Sequence, residues 1–286
     1  MNGIINLLKP PGISSNGAVV YLRGMLGVKK IGHAGTLDPG ASGVLVVCVG
    51  KATKLSEYLM GGAKEYVAEI CFGKSTDTGD SYGRVVKSGG EIPCAGRVKE
   101  ALRSFIGETT QRTPAYSAAK HGGKKLYELA RKGLETPEKT RKIVISELEY
   151  IKETGEDSHL IRVACGRGTY IRVLCEDIGK RLGTCAYMSF LVRTKDAGLD
   201  ISGSYTFGEL EGLKNKETAL LRADTLLERF PQIRIGADKR KILFNGGAIG
   251  CALPDGIYRA YADGDFLGLA EIKGGAARMA VLIAES

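Results

Sequence analysis

The 286-residue chain reads as an α+β protein, with one large mixed domain followed by a small β-rich module. Three observations carry that reading. Strand-like and helix-like segments follow one another without the regular β–α rhythm of a doubly wound sheet. Gly supplies 40 residues, about double the usual share of ~7%, which implies many tight turns. From Pro231 onward the chain is dominated by Gly and short strand-like runs. The length suffices for a full-sized core and a smaller appendage.

Taken in order, Ile4 to Leu8 is a short strand, and Ser14 or Ser15 caps a helix whose apolar face is Ala18, Val19, Leu22, Met25 and Leu26. A loop spans Lys29 to Ser42. Val44 to Val49 is an unbroken apolar run of the kind buried on both faces of a sheet. A helix over Thr53 to Met60 and a strand over Tyr66 to Phe72 follow it. Helical spacing returns in Gly96 to Phe105, through Val98, Leu102 and Phe105, and in Leu126 to Arg131. Strands at Ile143 to Ile151 and Leu160 to Ala164 flank the turn-rich Thr154 to Ser158. A helix over Thr169 to Leu182 is closed by Gly183, and Ala186 to Thr194 is a strand. Phe207 to Leu213 and Thr225 to Arg229 are helical in pattern. A boundary near Arg229 then gives domains over 1–229 and 230–286, with no repeat between them.

The 41 Lys and Arg against 32 Asp and Glu leave a formal charge of +9, which favours a polyanionic partner. Nine Lys or Arg and three Glu lie between Arg112 and Lys142, so two-thirds of the surplus is concentrated there. As a solvated helix face this would be unremarkable. Here Tyr116 and Tyr127 interleave with Lys120, Lys124, Lys125 and Arg131, a pattern suited to phosphates and exposed bases. The seven cysteines are scattered without a C-x-x-C pair and only His33, His121 and His159 are present, so no metal is expected. The longest apolar stretch, Val44 to Val49, is far below the ~20 residues of a membrane helix. Met1 to Pro11 lacks the basic start of a secretory signal, and the expected location is the cytoplasm.

Two motif-like segments fail on inspection. Gly73-Lys74-Ser75-Thr76 imitates the end of a phosphate-binding loop, but Ala68 stands where that loop needs its first glycine. Asp77-Thr78-Gly79 imitates an aspartic protease without the second copy such a site requires, and reads as a turn. The informative segment is Gly32 to Gly43, a glycine-rich loop that presents Asp38 just before a buried strand. Read locally, Asp38-Pro39-Gly40 is an ordinary turn.

His-x-Gly-x-Leu-Asp-Pro-x-Ala-x-Gly-x-Leu, from His33 to Leu45, resembles the signature of the TruB family of tRNA pseudouridine synthases. The resemblance continues along the chain. Lys9 to Ser15 resembles the family's amino-terminal Lys-Pro segment, and Lys64-Glu65-Tyr66 the strand carrying its active-site tyrosine. Gln111 to Lys120 and Gly123 to Gly133 resemble its RNA-gripping insertion, placed at about 108–142. Gly168 to Arg172 resembles its active-site arginine segment, and Phe190 to Arg193 the strand that follows. Phe244 to Ile249 and the strands after it are similar, more weakly, to its carboxy-terminal PUA-like module. Thr113 before Pro114 departs from the two prolines of many relatives.

The resemblance implies a mixed-sheet catalytic domain and a reaction that isomerises a uridine of tRNA, at position 55 in the T loop, with no cofactor. Asp38 would be the catalytic carboxylate, acting either by attack on C1′ or by removing the 2′ proton. Arg172 would hold that carboxylate ionised against desolvation. Tyr66 would stack on the uracil, and its hydroxyl offers a second role at the C5 proton. His33 would enter the RNA stack after base flipping. Leu191 would wall the pocket, Lys9 would support the active-site loops, and Tyr116, Lys120, Lys124, Lys125 and Arg131 would grip the T arm. The protein is expected to act as a monomer. Two alternatives stay open: a noncatalytic RNA-folding protein on the same scaffold, and a synthase acting on a different RNA.

Overall fold

The structure is a computed structural model that describes residues 1–117, 120–131, 134 and 139–284. The chain forms two compact units. One comprises residues 1–38, 44–61 and those from Ala197 onward, and the other Pro39–Gly43 and Gly62–Asp196.

In the first unit the strand Ser42–Val49, from Val44 on, pairs with Gly3–Lys9 and Ile31–Ala34. Its residues alternate between two cores. Leu45, Val47 and Val49 meet Ala18, Val19 and Leu22 of the helix Ser15–Leu26, whereas Val44, Val46 and Cys48 join Ala52, Leu55, Leu59, Leu269 and Val281. This two-sided burial is why the run is continuously apolar. The carboxy-terminal part is a five-stranded sheet in the order Gln232–Arg234, Gly256–Ala262, Asp265–Lys273, Ala276–Leu282, Ile249–Gly250. It has its own core around Ile233, Leu243, Tyr258, Leu267 and Ile272, while Leu269 and Val281 join the core of residues 1–61.

In the second unit Lys64–Phe72 is central, antiparallel to Ala186–Asp196 on one side and to Ser158–Cys165 on the other. Thr140–Glu153 and Gly107–Arg112 extend the sheet beyond Ser158–Cys165. Ser42 and Gly43 run parallel to Val192 and Arg193, which makes the sheet mixed. The helix Ile171–Arg181 packs on Ala186–Asp196. Two small hairpins project from this frame. One pairs Lys74–Thr76 with Val85–Ser88; the other pairs Lys120–His121 with Lys124–Lys125 across Gly122 and Gly123, both at positive φ, and leads into the helix Leu126–Arg131.

Several expectations shift. The loop from Lys29 to Ser42 contains the strand Ile31–Ala34, hidden because Gly32-His33 carries no strand pattern and the strand is defined by its ladder with Val46 to Val49. Thr53 to Met60 is a 3₁₀ turn over Gly50–Leu55 followed by one α-turn, Ser56–Leu59, and the segment read at Thr225 to Arg229 is the 3₁₀ turn Ala223–Leu227. The tail contains a helix, Ala237–Phe244, masked by its run of charged residues. Gly107–Arg112 pairs with Thr140 to Ile145, so both ends of the segment read as the insertion belong to the sheet. No helix among the described residues is long and apolar enough to cross a membrane.

Candidate active site

On the first unit, the approach to Asp38 is built from polar groups tied to backbone. Lys9, fully buried at the end of its strand, donates from Nζ to the carbonyls of Pro10 and Ile13, both at 2.8 Å, which fixes the Lys-Pro-Pro-Gly turn. The adjacent serines then divide the work. Ser14 caps the helix by accepting the Gly17 N–H at 2.9 Å. Ser15, buried, accepts the Leu37 N–H at 2.8 Å and donates to the Leu37 carbonyl at 2.9 Å. Both backbone groups of the residue before Asp38 are therefore held by one hydroxyl. Asp38 itself is half-buried, and Pro39-Gly40 forms a turn, so the local turn reading of the motif also holds. His33 is half-buried on the short strand, opposite Val47.

On the second unit, the end of the same loop is locked to a strand. Gly43 has φ +109°, and a β-carbon there would lie 2.7 Å from the Arg193 nitrogen, so the motif's glycine is required both by conformation and by space. The side chain of Arg193 is almost fully buried. It pairs with Asp196 at 3.2 Å, and Asp196 pairs with Lys64 at 3.1 Å, all three inaccessible or nearly so. Tyr66 lies directly across from Arg193 in the sheet and hydrogen-bonds to it. Burial raises the Tyr66 hydroxyl well above the ordinary tyrosine range, outweighing the opposing pull of the Arg193 cation, so it stays a neutral phenol. Leu191, buried and two residues before Arg193, shares that sheet face and is the diagonal neighbour of Tyr66.

Arg172 is held by three elements of the same unit. Gln111 brackets the backbone of Tyr170, donating to its carbonyl at 3.0 Å and accepting its N–H at 2.8 Å. The Arg141 guanidinium covers Gly168, at φ +89°, where a β-carbon would meet it at 2.7 Å. The Arg172 fork then donates to the carbonyls of Thr78 at 2.7 Å and Tyr116 at 2.9 Å, with Nε 3.7 Å from the Asp80 carboxylate. The Asp77-Thr78-Gly79 segment, dismissed as a protease motif, is the turn that receives this arginine.

The structure thus brings Tyr66 and Leu191 together in one unit, sets Arg172 against the Tyr116 backbone there, and places Lys9 and His33 with the Asp38 approach in the other. The side chains of Lys120, Lys124, Lys125, Tyr127 and Arg131 lie outside the described residues. Ser15, Asp80 and Arg193 escaped the sequence reading. Ser15 carried a signal as the second of two serines, only one of which a helix cap needs; Arg193 carried only its place in the Phe190 to Arg193 segment, and Asp80 carried none outside its tertiary partner. Cys48, Cys71, Cys165 and Cys175 are buried, and burial pushes the Cys48 thiol up to about 12 and that of Cys165 to about 11, which keeps both from acting as nucleophiles. Among the described residues no cluster of His, Cys, Asp and Glu is arranged to hold a metal ion.

Comparison with known proteins agrees with this framework. Residues 23–171 match the profile of the TruB family pseudouridylate synthase N-terminal domain. A protein of Pelotomaculum thermopropionicum named tRNA pseudouridine synthase B is 44% identical over 261 residues, covering 87% of this chain and 81% of the relative. One of the same name from Clostridioides difficile is 37% identical over 286 residues, covering 95% of each. A chain in the crystal structure of a Cbf5-Nop10-Gar1 complex superposes with a TM-score of 0.73 at 26% identity, over 94% of this chain and 78% of that one. From the matched profile, the identity to these relatives over most of their length and the shared fold, the chain belongs to the TruB family of pseudouridylate synthases, enzymes that isomerise uridine to pseudouridine.

Proposed function

We propose that this enzyme acts on a uridine in the T loop of tRNA, position 55, as a monomer in the cytoplasm, with Asp38 as its catalytic carboxylate. The observation that carries this reading is the Asp38 loop itself. It bears the family signature and is fixed at one end by Ser15 on Leu37 and at the other by Gly43 against Arg193. The bacterial relatives named as tRNA pseudouridine synthases support tRNA as the substrate.

The reaction breaks the bond between C1′ and N1, turns the base and joins C1′ to C5, while the C5 proton leaves and N1 regains one. It needs no net oxidant or reductant. C1′ passes through an electron-poor state, and a carboxylate there acts as in retaining glycosidases. Asp38 serves this role, by attack on C1′ or by taking the 2′ proton. Arg172, its guanidinium oriented by two carbonyls and Asp80, supplies the cation that favours an ionised carboxylate in a desolvated site. Tyr66 offers its ring face to the uracil and a neutral hydroxyl held by Arg193. Leu191 is the adjoining apolar wall, His33 fills the stack vacated by the flipped base, and Lys9 steadies the Lys-Pro turn. The insertion grips the T arm through Tyr116, Lys120, Lys124, Lys125 and Arg131, and the carboxy-terminal sheet is a PUA-like RNA-binding module over 230–286.

The decisive experiment is Asp38→Asn, assayed by single-turnover pseudouridine formation on transcribed tRNA beside RNA binding and a thermal melt. Folding and binding should persist while the rate drops to background. A well-folded variant that binds tRNA and keeps more than about a hundredth of the wild-type rate refutes the assignment.

A further inference from the structure

The hairpin joining Lys74–Thr76 to Val85–Ser88 carries a side chain that neither the fold nor the proposed chemistry accounts for. Tyr82, at its tip, is 70% exposed, the most exposed of the large apolar and aromatic side chains among the described residues. Its backbone is nevertheless fixed. The Tyr82 N–H donates to Asp80 Oδ1 at 3.1 Å, the Gly83 N–H to the Asp80 carbonyl at 3.2 Å, and the preceding Ser81 is anchored to the strand Ala186–Asp196 by its N–H on Met188 O at 3.1 Å and its hydroxyl on Ser189 O at 3.0 Å. The ring lies against Gly40, where a β-carbon would come within 2.8 Å of its Cδ2 atom. Any larger residue at Gly40 would displace the tyrosine.

Gly40 stands two residues after Asp38, a distance of at most about 7 Å along the chain. An aromatic ring is therefore held with one edge on the catalytic loop and most of its surface in solvent. Arg84 and Lys87 follow it on the same hairpin, exposed and without an ion pair among the described residues. A fixed aromatic face beside unpaired cations is the arrangement that binds an unpaired nucleotide, the ring taking the base and the cations its phosphates. We propose that Tyr82 is a stacking platform for an unstacked base of the RNA next to the isomerised uridine, with Arg84 holding the adjoining phosphate. This rests on the reading that the substrate is a structured RNA arm from which the target base is flipped, and adds a contact for its neighbour.

The chain contains no tryptophan, so Tyr82→Trp places a single indole at the site. Titration of this variant with T-arm RNA, alongside filter binding of the same RNA, should quench the indole emission in step with binding. In parallel, Tyr82→Phe should bind as the wild type does, while Tyr82→Leu and Tyr82→Ala should both weaken binding by about 5- to 100-fold, the loss of one base–aromatic stack. Arg84→Gln should lower the slope of log affinity against log salt by about 0.7 to 0.9. Normal binding by Tyr82→Leu, or RNA binding without any change in indole emission, overturns the proposal, because the ring would then only pack on Gly40. Failure of the wild-type protein to bind the RNA at all would instead remove the substrate reading beneath it.

Discussion

Ser14 and Ser15 offer a matched pair of perturbations one residue apart. Ser14 is exposed and accepts the Gly17 N–H at the helix start, so Ser14→Ala removes a cap and costs about 1 kcal/mol. Ser15→Ala leaves the cap intact. It deprives Leu37, 3% exposed, of the partner for both its N–H and its carbonyl, a loss of about 1–3 kcal/mol where water does not reach them. The two stability losses overlap; the rates should not. Leu37 precedes Asp38, and a displacement of about 1 Å at a reacting group costs about 10²-fold. Ser15→Ala should therefore lower kcat by roughly 10- to 100-fold with KM for tRNA little changed, and Ser14→Ala should keep kcat within about twofold. The assay is pseudouridine formation at saturating tRNA, at a temperature well below both melting points. Equal rates for the two variants would refute the claim that the Leu37 clamp positions the carboxylate.

Three further outcomes follow from the same geometry. Asp196→Asn leaves the buried Arg193 and Lys64 without their shared carboxylate, which should cost about 3–5 kcal/mol and lower Tm by about 5–8 °C in a thermal melt; an unchanged Tm would mean the network is solvated. Tyr66 has a raised folded-state pKa, so its contribution to stability is complete below the unfolded value near ~10 and is lost as pH rises above that. The single-turnover rate should accordingly lack the tenfold rise per pH unit of a phenolate base between about pH 6 and 9, and a rise of that kind abolished by Tyr66→Phe would show that the anion acts. Removing Lys120, Lys124, Lys125, Arg131 and Lys132 together should flatten the dependence of log affinity on log salt by up to a few units, at ~0.7 to 0.9 per phosphate contact; an unchanged slope would move the grip elsewhere.

What could be read in the sequence divides by the range of the interaction. The strand Val44 to Val49 and the helix from Ser15 announced themselves because periodicity and capping are local, and so did the turn at Asp38-Pro39-Gly40. The strand Ile31–Ala34 did not, since its identity lies in a ladder with Val46 to Val49. Within the proposed site, Asp38, Tyr66 and Arg172 were legible through segments that resemble the family's. Of those that hold them Lys9 was legible in the same way, but two others were not: Asp80 reaches Arg172 across 92 positions, and Arg193 meets Gly43 and Tyr66 only once three strands are laid side by side. The boundary read near Arg229 follows a change of composition, whereas Leu269 and Val281 beyond it share a core with Ile4 and Val44.

That shared core bears on how the enzyme is made. The first strand emerges from the ribosome early, yet Ile4 exchanges backbone hydrogen bonds with Leu221, and Asn6 and Leu8 with Tyr205. At bacterial-like elongation speeds these partners arrive roughly 10 to 40 s later. Residues 62–196 form a nearly contiguous unit that can condense in the interval, while the amino-terminal strands wait for contacts of long sequence separation, the kind that close slowly. Asp38 belongs to the part that waits. A polypeptide truncated before Leu221 therefore lacks the partner of its first strand, and the unit that carries Asp38 is completed only after that residue has been added.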